Sequence, residues 1–253
     1  MFIAQITIQS KSEEVLDCFY ELLGVWRRNG QLLNEEFPIT RGTNFYRAFL
    51  MVPESDSLDG KYDCANVQFS RQKIEELSSI DVEILGEVPE SAIACNCKKR
   101  SSFILFTTFL SNESPLHCGD CFGVVPLYSL CKNRAANSKA IDGVRSWQVD
   151  YQACDTLQMG CSTGEKFGIR EMSQFDSSLS KRGRKICEAI EKATQTPTFY
   201  YLFRYHGRSE KRERERKCPS CGGDWRLAET LHDKFDFKCE DCRLLSNLAF
   251  SYG

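Results

Sequence analysis

Apolar and polar residues alternate at the start of the chain, as they do in a β-strand with one buried face. The alternation runs from Phe2 to Ile8 with the two-residue period of a strand. After Ser12 the pattern changes, and apolar residues recur every three or four positions until Gly30. Serine is a favoured helix N-cap, and glycine commonly follows the last residue of a helix. The opening of the chain therefore predicts a strand, a helix and a turn.

The same two periods predict further elements in both halves of the chain. Short apolar or aromatic runs predict strands, and the run FILFTTFL is apolar on both faces, as in a buried strand. Apolar residues at helical spacing predict two more helices, the second of which ends before Pro197. The predicted strands are Phe45–Val52, Val82–Leu85, Phe103–Leu110 and Thr198–Tyr205, and the predicted helices are Asp142–Met159 and Leu179–Thr194. This mixture predicts an α+β fold.

The formal net charge of −2 conceals an uneven distribution of charged residues. Residues 1–180 contain 24 acidic and 17 basic residues, whereas residues 181–253 contain 16 basic and 11 acidic residues. The segment RSEKRERERK, residues 208–217, has the composition of a charged connector. We therefore predict an α+β domain over residues 1–207, the connector over 208–217 and a small C-terminal domain over 218–253.

Hydropathy and cysteine content together indicate the compartment. The longest largely apolar run has eight residues, whereas a membrane-spanning helix needs about 20. The N-terminus lacks the basic segment that precedes the apolar core of a signal peptide. These features predict a cytoplasmic protein that has no membrane partner. In that compartment, 14 cysteines favour metal binding over a framework of disulfides.

Four cysteines near the C-terminus have the spacing of a closed metal site. Cys218 and Cys221 are separated by two residues, as are Cys239 and Cys242, and 17 residues lie between the pairs. Two intervening residues let one turn direct both sulfur atoms at one ion, and the longer segment can return the second pair as a hairpin. Four thiolates complete a tetrahedral shell and leave no position for water. We therefore predict a structural zinc ion in a C-terminal zinc ribbon.

A second group of four cysteines predicts another structural zinc ion, embedded in the α+β body. Cys95 and Cys97 are separated by one residue, Cys118 and Cys121 by two, and a predicted strand lies between the pairs. Since four sulfur atoms complete the shell, we expect His117 beside this site rather than in it. The other cysteines are expected to be core or neutral thiols: Cys18, Cys64, Cys131, Cys154, Cys161 and Cys187.

The sequence contains no recognisable catalytic constellation. The chain has three histidines, and two of them are close in sequence to predicted zinc ligands, where a packing role is expected. Paired carboxylates such as Glu13 and Glu14 are adjacent, and adjacent residues of a helix do not face one another. We therefore predict a protein that is not an enzyme.

Several strings in the chain resemble a bacterial family described as Zn-ribbon-containing proteins with a suggested nucleic-acid-binding role. These strings are LHCGDCFGVVPLY, YQACDTLQ, TFYYLFRYHGRSEKRERERKCPSCGGDW and FKCEDCRLLSN. The resemblance extends from the N-terminal strand to the final cysteines and is most specific in the C-terminal third. It implies two zinc ions on the eight cysteines named above. It also implies that some members are immunity partners of Rhs-type toxins.

The first functional hypothesis is a non-enzymatic protein that binds a protein partner. In its most specific form, the protein is an immunity protein that occludes the active surface of a toxin. The acidic character of residues 1–180 suits a basic partner. The loop-like stretch PESDSLDGKYD is the candidate contact region, although a solvated loop without a partner is the alternative interpretation. Its candidate partner-binding residues are Glu54, Asp56, Asp59 and Asp63.

The alternative hypothesis is nucleic-acid binding through the basic C-terminal part. Zinc ribbons serve this role, and an aromatic ring there would stack on a base. Glutamates interleave the arginines of the connector, however, and Glu210 and Arg214 lie at the four-residue spacing of a helical ion pair. The candidate residues are Arg212, Arg214, Arg216, Lys217, Trp225 and Lys238.

Overall fold

The chain forms two compact units in a computed structural model. The structure describes residues 1–130 and 138–252, and of residues 138–142 it describes the backbone alone. Unit 1 comprises residues 1–94, 112–114 and 123–142, and unit 2 comprises residues 95–111, 115–122 and 143–253. Each unit has its own sheet and its own helices. Cys131 lies outside the described residues.

Unit 1 is built on a four-stranded antiparallel sheet. The strands are β1 (Phe2–Ile8), β2 (Ile39–Arg41), β3 (Tyr46–Val52) and β4 (Ile80–Glu87), in the order β2-β3-β1-β4. The alternation in the first residues of the chain therefore predicted β1 correctly, and β1 is a central strand. The predicted strands Phe45–Val52 and Val82–Leu85 are confirmed as β3 and as the middle of β4.

Two helices cover one face of this sheet. Helix α1 (Glu13–Asn29) begins after Ser12 and ends at Gly30, whose φ of 81° is left-handed, as the sequence predicted. Helix α2 (Ala65–Glu75) follows a short 3₁₀ turn. Phe19 and Trp26 of α1 are fully buried in the core of unit 1.

Unit 2 is built on a six-stranded mixed sheet that joins three distant segments of the chain. Its strands have the order β6-β5-β7-β11-β10-β9. β7 lies parallel to both of its neighbours, β5 and β11, while the other pairs are antiparallel. The bounds are β5 (Phe103–Leu105), β6 (Leu116–Cys118), β7 (Thr198–Leu202), β9 (Arg226–Leu231), β10 (Phe235–Cys239) and β11 (Leu244–Ser246).

This sheet explains two differences from the sequence prediction. The strand predicted over Phe103–Leu110 ends at Leu105, and Leu110 is 73% exposed, so the apolar run only begins as a buried strand. Among the strands that follow residue 218, β11 pairs with β7, so β9, β10 and β11 extend the sheet of unit 2 instead of forming a sheet of their own. Residues 207 and 217, where we predicted domain boundaries, therefore both lie within unit 2.

Helices and one small two-stranded sheet complete the described structure. The helices are α3 (Ser138–Met159), α4 (Glu165–Ser173), α5 (Ser178–Thr194) and α6 (Glu210–Arg214), and β8 (His206–Gly207) pairs with β12 (Ser251–Tyr252). The predicted helices over 142–159 and 179–194 are confirmed as α3 and α5. The predicted connector contains α6. Among the described residues, no helix is long and apolar enough to cross a membrane.

Gly183 of α5 lies so close to the sheet of unit 2 that a larger residue would not fit. A Cβ atom at this position would lie 2.2 Å from the Tyr200 ring and 2.8 Å from the Trp147 ring nitrogen. We expect Gly183→Ala to lower the free energy of unfolding by about 1–3 kcal/mol, because both rings are fully buried and have to shift. Denaturant unfolding followed by circular dichroism measures the change.

Gly24→Ala in α1 is the matched control for this substitution. A Cβ atom at Gly24 would meet nothing within 4 Å outside the backbone of its own helix. We expect this variant to be as stable as the parent protein or more stable by up to about 1 kcal/mol, since alanine favours the helix. Equal effects of the two substitutions would contradict the close packing of α5 on β7.

Candidate metal centres

The first cysteine cluster consists of Cys95, Cys97, Cys118 and Cys121, and all four sulfur atoms lie within 4.8 Å of one another. Cys118 is the last residue of β6 and pairs in register with Phe103 of β5. The turn that follows carries Cys121 and closes when the Phe122 N–H donates to the Cys118 carbonyl. The predicted pairs are therefore brought together around one point.

Polar contacts hold the first cluster in place. The Gly119 N–H donates to the Ser102 carbonyl at 2.8 Å, and the Asp120 carboxylate accepts the Ser101 N–H at 2.8 Å. Burial raises the pKa of Cys118 to about 12. Burial also acts against ionisation of Cys95, but donation from Arg100, whose Nε lies 3.1 Å from the sulfur, lowers that pKa to about 7. A cation among these sulfur atoms would stabilise all four as thiolates.

The second cysteine cluster consists of Cys218, Cys221, Cys239 and Cys242, whose sulfur atoms also lie within 4.8 Å of one another. The turn from Cys218 is closed when its N–H donates to the Gly223 carbonyl and its carbonyl accepts the Gly222 N–H. Cys239 is the last residue of β10, and Cys242 lies in the turn before β11. Burial raises the pKa of Cys239 to about 12, so a deprotonated shell here also needs a compensating cation.

The Cys-x-x-Cys turns of both clusters share one backbone feature. The residue after the second cysteine is left-handed in each: Phe122 has φ 58°, Gly222 has φ 73° and Arg243 has φ 51°. Glycine adopts this conformation without strain, but the other two residues do not. The recurrence indicates that the geometry of the sulfur atoms, not the residue type, sets this backbone angle.

Both clusters can therefore hold a metal ion with four sulfur ligands. Both also belong to unit 2, because β6 and β10 are strands of the same sheet. Four protein ligands fill a tetrahedral shell, which is the arrangement of structural sites, whereas catalytic sites keep one position open. The five other described cysteines are free thiols outside both clusters: Cys18, Cys64, Cys154, Cys161 and Cys187.

Two histidines lie beside the first cluster. His117 is 4% exposed, and its Nδ1 lies 3.0 Å from the Phe122 carbonyl oxygen. The His117 ring also stacks on the Phe122 ring. His232 comes from the turn between β9 and β10, and its Nε2 lies 2.8 Å from the Gly119 carbonyl. The contact of His232 has no signal in the sequence, since it joins positions 113 apart along the chain. No local pattern signals a contact of that length.

The acidic loop predicted to bind a partner is engaged largely in unit 1 itself. Asp63 is 2% exposed and pairs with Arg71 at 2.7 Å. Because it is buried, the prediction that Asp63 lies on a contact surface is wrong. Asp56 and Asp59 both pair with Lys61. Glu54 accepts the Tyr128 hydroxyl. The loop is thus a local network in which Asp59 is the most exposed carboxylate.

Most residues proposed to bind nucleic acid are also engaged within unit 2. Arg216 lies 4.8 Å from the Trp225 ring centre and 4.4 Å from that of Phe237, and Trp225 is only 3% exposed. These two residues fill the interior, so the predicted stacking face is not available to a base. Arg214 forms an ion pair with Glu210, Lys217 with Asp224, and Lys238 with Glu240. Arg212 is exposed.

Three families of unknown function match successive parts of the chain. A domain of unknown function (DUF8589) matches residues 1–85, another (DUF2310) matches residues 97–203, and a third (DUF8594) matches residues 207–252. An uncharacterized protein of Haemophilus influenzae is 36% identical over 233 residues, which cover 90% of this chain and 88% of that protein. A second uncharacterized protein of that organism is 44% identical over 149 residues, 59% of this chain and 72% of that protein.

One solved structure has a partial likeness to this chain. It is a Deinococcus radiodurans protein described as a candidate antibiotic biosynthesis monooxygenase. It is 12% identical, and the match covers 38% of this chain and 98% of that protein with a TM-score of 0.26. A TM-score this low carries no argument about fold or activity.

Proposed function

Since the chain belongs to the same family as the uncharacterized Haemophilus influenzae protein that matches most of its length, we propose a function from the chemistry of its own residues. The protein is a non-enzymatic zinc-binding protein that acts by binding a protein partner. Zinc has a structural role in unit 2, where the C-terminal cluster forms a zinc ribbon, and the acidic unit 1 provides the contact surface.

The two four-cysteine clusters support zinc as the metal. Zinc accepts four thiolates in a tetrahedral shell without a redox change, and a compact set of four cysteine sulfur atoms is its usual structural site. Both clusters in unit 2 have this ligand set. Because each shell is closed, zinc in it would stabilise the sheet and leave no metal position for a substrate.

The observation that carries the partner-binding proposal is the exposed acidic edge of unit 1. Unit 1 contains 18 acidic and 11 basic residues. Strand β4 is an edge strand of its sheet, and Asp81, Glu83 and Glu87 on it are exposed. Leu85 of the same strand is 49% exposed. An exposed edge with carboxylates and two apolar side chains, Val82 and Leu85, suits a basic partner, through charge complementarity and strand pairing.

The sharpest form of this proposal is an immunity protein that occludes the active surface of a Rhs-type toxin. Toxin domains that act on nucleic acid present basic surfaces, and an acidic partner would cover such a surface. The nucleic-acid alternative receives less support, because Arg216 and Trp225 are packed in the interior of unit 2.

Coexpression with a neighbouring toxin tests the proposal. We expect the chain to restore growth of cells that express the polymorphic toxin domain encoded beside its gene. We expect the charge-reversed variant Asp81→Lys, Glu83→Lys, Glu87→Lys to lose this protection, and binding of the purified pair to weaken as salt concentration rises. Absence of a toxin gene beside this one, or full protection by the variant, would contradict the immunity role.

A control variant with the same change in net charge separates the surface from the total charge. Three exposed acidic residues elsewhere in unit 1 serve this purpose: Asp17→Lys, Glu36→Lys and Glu75→Lys. We expect this variant to protect cells and to bind the toxin domain as the parent protein does. Equal loss in both variants would indicate a dependence on net charge alone.

A further inference from the structure

Unit 2 contains a cavity of about 820 Å³ that the metal clusters do not use. This volume lies within the range of about 300–1,000 Å³ that is typical of small-molecule sites. The cavity is lined by one face of α3, the end of β7 and the segment after β11. None of the eight clustered cysteines lines it.

One wall of the cavity is a polar stripe on α3. Tyr151, Asp155 and Gln158 are spaced by four and three residues, so they lie on one face of the helix, and all three line the cavity. Tyr151 is 2% exposed and Gln158 is 4% exposed. Neither the Tyr151 hydroxyl nor the Gln158 amide has a hydrogen-bond partner within the part of the chain that the structure describes. The unpaired hydroxyl and amide face the water-accessible cavity, where each offers a hydrogen-bonding group to a ligand.

Asp155 gives this wall a negative charge without a compensating cation. Its carboxylate accepts the Phe109 N–H at 2.8 Å, and no described lysine or arginine lies within ion-pairing distance of it. Burial raises the pKa of Asp155, which reflects the cost of keeping the charge there. Two further aspartates, Asp233 and Asp236, line the cavity against one lysine, Lys234. The cavity therefore favours a positively charged ligand.

Another part of the cavity lining is aromatic. The rings of Phe203, Tyr205 and Phe250 lie with centres 5.9–6.4 Å apart, and Phe250 is 69% exposed. Aromatic faces attract ammonium and guanidinium groups and stack on flat apolar bodies. The three rings together offer an exposed aromatic face to a ligand in the cavity.

We propose that this cavity binds a small organic cation, an amidinium, guanidinium or ammonium group on an apolar body. The cationic head pairs with Asp155 and donates to Gln158 and Tyr151, while the body lies against Phe203, Tyr205 and Phe250. This site is separate from the acidic edge of unit 1 and does not depend on the partner-binding function. Its ligand chemistry follows from the charge and the rings that line the cavity.

Titration of the full, metal-loaded chain with benzamidine tests the proposal, and benzamide is the neutral probe of the same shape. Isothermal calorimetry gives affinity, and NMR shifts of the aromatic side chains locate the site. We expect saturable binding of benzamidine at the cavity, and binding of benzamide weaker by about tenfold or more, because the charge-assisted hydrogen bond to Asp155 is lost. Equal binding of both probes, or no saturable binding of benzamidine at millimolar concentrations, would overturn the proposal.

Two variants and one control assign the binding to the polar stripe. Asp155→Asn retains an acceptor for the Phe109 N–H and removes the charge, so we expect a folded protein whose affinity for benzamidine falls about tenfold or more. Gln158→Leu should weaken binding and leave the fold intact, since no hydrogen bond within the described residues depends on the Gln158 amide. Asp150→Asn, on an exposed part of the same helix where Asp150 pairs with Arg182, should bind as the parent does. Unchanged affinity in Asp155→Asn would refute the site.

Discussion

Replacing Cys239 with serine is expected to remove one metal ion per chain and to destabilise unit 2 by more than about 4 kcal/mol. Losses of this size are exceptional for single substitutions, and loss of a metal site is among the few causes. Cys239 is 6% exposed at the end of β10, with its sulfur 3.7 Å from that of Cys221. A serine hydroxyl does not replace a thiolate in a four-sulfur shell, so we expect the ion to be lost. Elemental analysis of the purified variant measures the loss.

The destabilisation is expected to extend beyond the C-terminal cysteines. β10 pairs with β11, and β11 pairs with β7 in the centre of the same sheet. All five residues of β7 are buried. We therefore expect amide hydrogen exchange in the variant to be faster than in the parent in β10 and β11, and also in β7, which lies outside residues 218–253.

Cys161→Ser is the matched control for Cys239→Ser. Cys161 is exposed and belongs to neither cluster, so its replacement should leave metal content and unfolding free energy unchanged. We expect two zinc ions per chain in the parent protein, one in Cys239→Ser and two in Cys161→Ser. Two ions retained in Cys239→Ser, or unchanged stability, would show that the second cluster does not hold a structural ion.

The parts of the structure that the sequence predicted well are those set by neighbouring residues. The alternation over Phe2–Ile8 and the helix between Ser12 and Gly30 depend on local burial and on the left-handed cap at Gly30, and both elements were predicted correctly, although the Ser12 side chain makes no capping hydrogen bond. The eight clustered cysteines were found for a similar reason, because two-residue spacing lets a single turn direct two sulfur atoms together. Grouping the pairs needed only a strand or hairpin between them.

The parts that the sequence did not predict depend on contacts between distant segments. The parallel pairing of β11 with β7 joins residues more than 40 positions apart and determines that the last strands belong to unit 2. The contact of His232 with the Gly119 carbonyl has the same origin. The cavity in unit 2 was missed because α3, β7 and the segment after β11 contribute residues that share no sequence pattern.

Composition was a poor guide to charged residues that are paired inside the fold. Asp63 looked like part of a solvated acidic loop, but Arg71 and Gln31 bind it in the interior of unit 1. Arg216 looked like part of a basic surface, but its guanidinium packs against the rings of Trp225 and Phe237. Composition reports how many charges a segment has and does not report which of them are compensated inside the fold.

Glu213→Ala is the second substitution with a large expected effect, because Glu213 compensates two arginines in the interior of unit 2. Glu213 is 2% exposed and pairs with Arg204 at 3.1 Å and with Arg216 at 2.8 Å. Burial lowers the pKa of Arg216 to about 10, yet its charge persists near neutral pH. Removing one partner of a buried ion pair costs about 3–5 kcal/mol, and the partial exposure of the Arg204 and Arg216 side chains, 33% and 16%, places this case at the lower end of that range. We expect a loss of that size in the unfolding free energy of unit 2.

Glu210→Ala, on the same short helix, is the matched control for Glu213→Ala. Glu210 pairs with Arg214 at 2.6 Å, but both side chains are more than half exposed, and exposed ion pairs contribute little to stability. We expect denaturant unfolding of this variant to match the parent closely and that of Glu213→Ala to shift to much lower denaturant. The metal content of both variants should remain that of the parent, which separates this effect from loss of the second cluster. Similar unfolding midpoints for the two variants would show that Arg204 and Arg216 do not depend on Glu213, and that the residues of the predicted connector behave as an ordinary solvated segment.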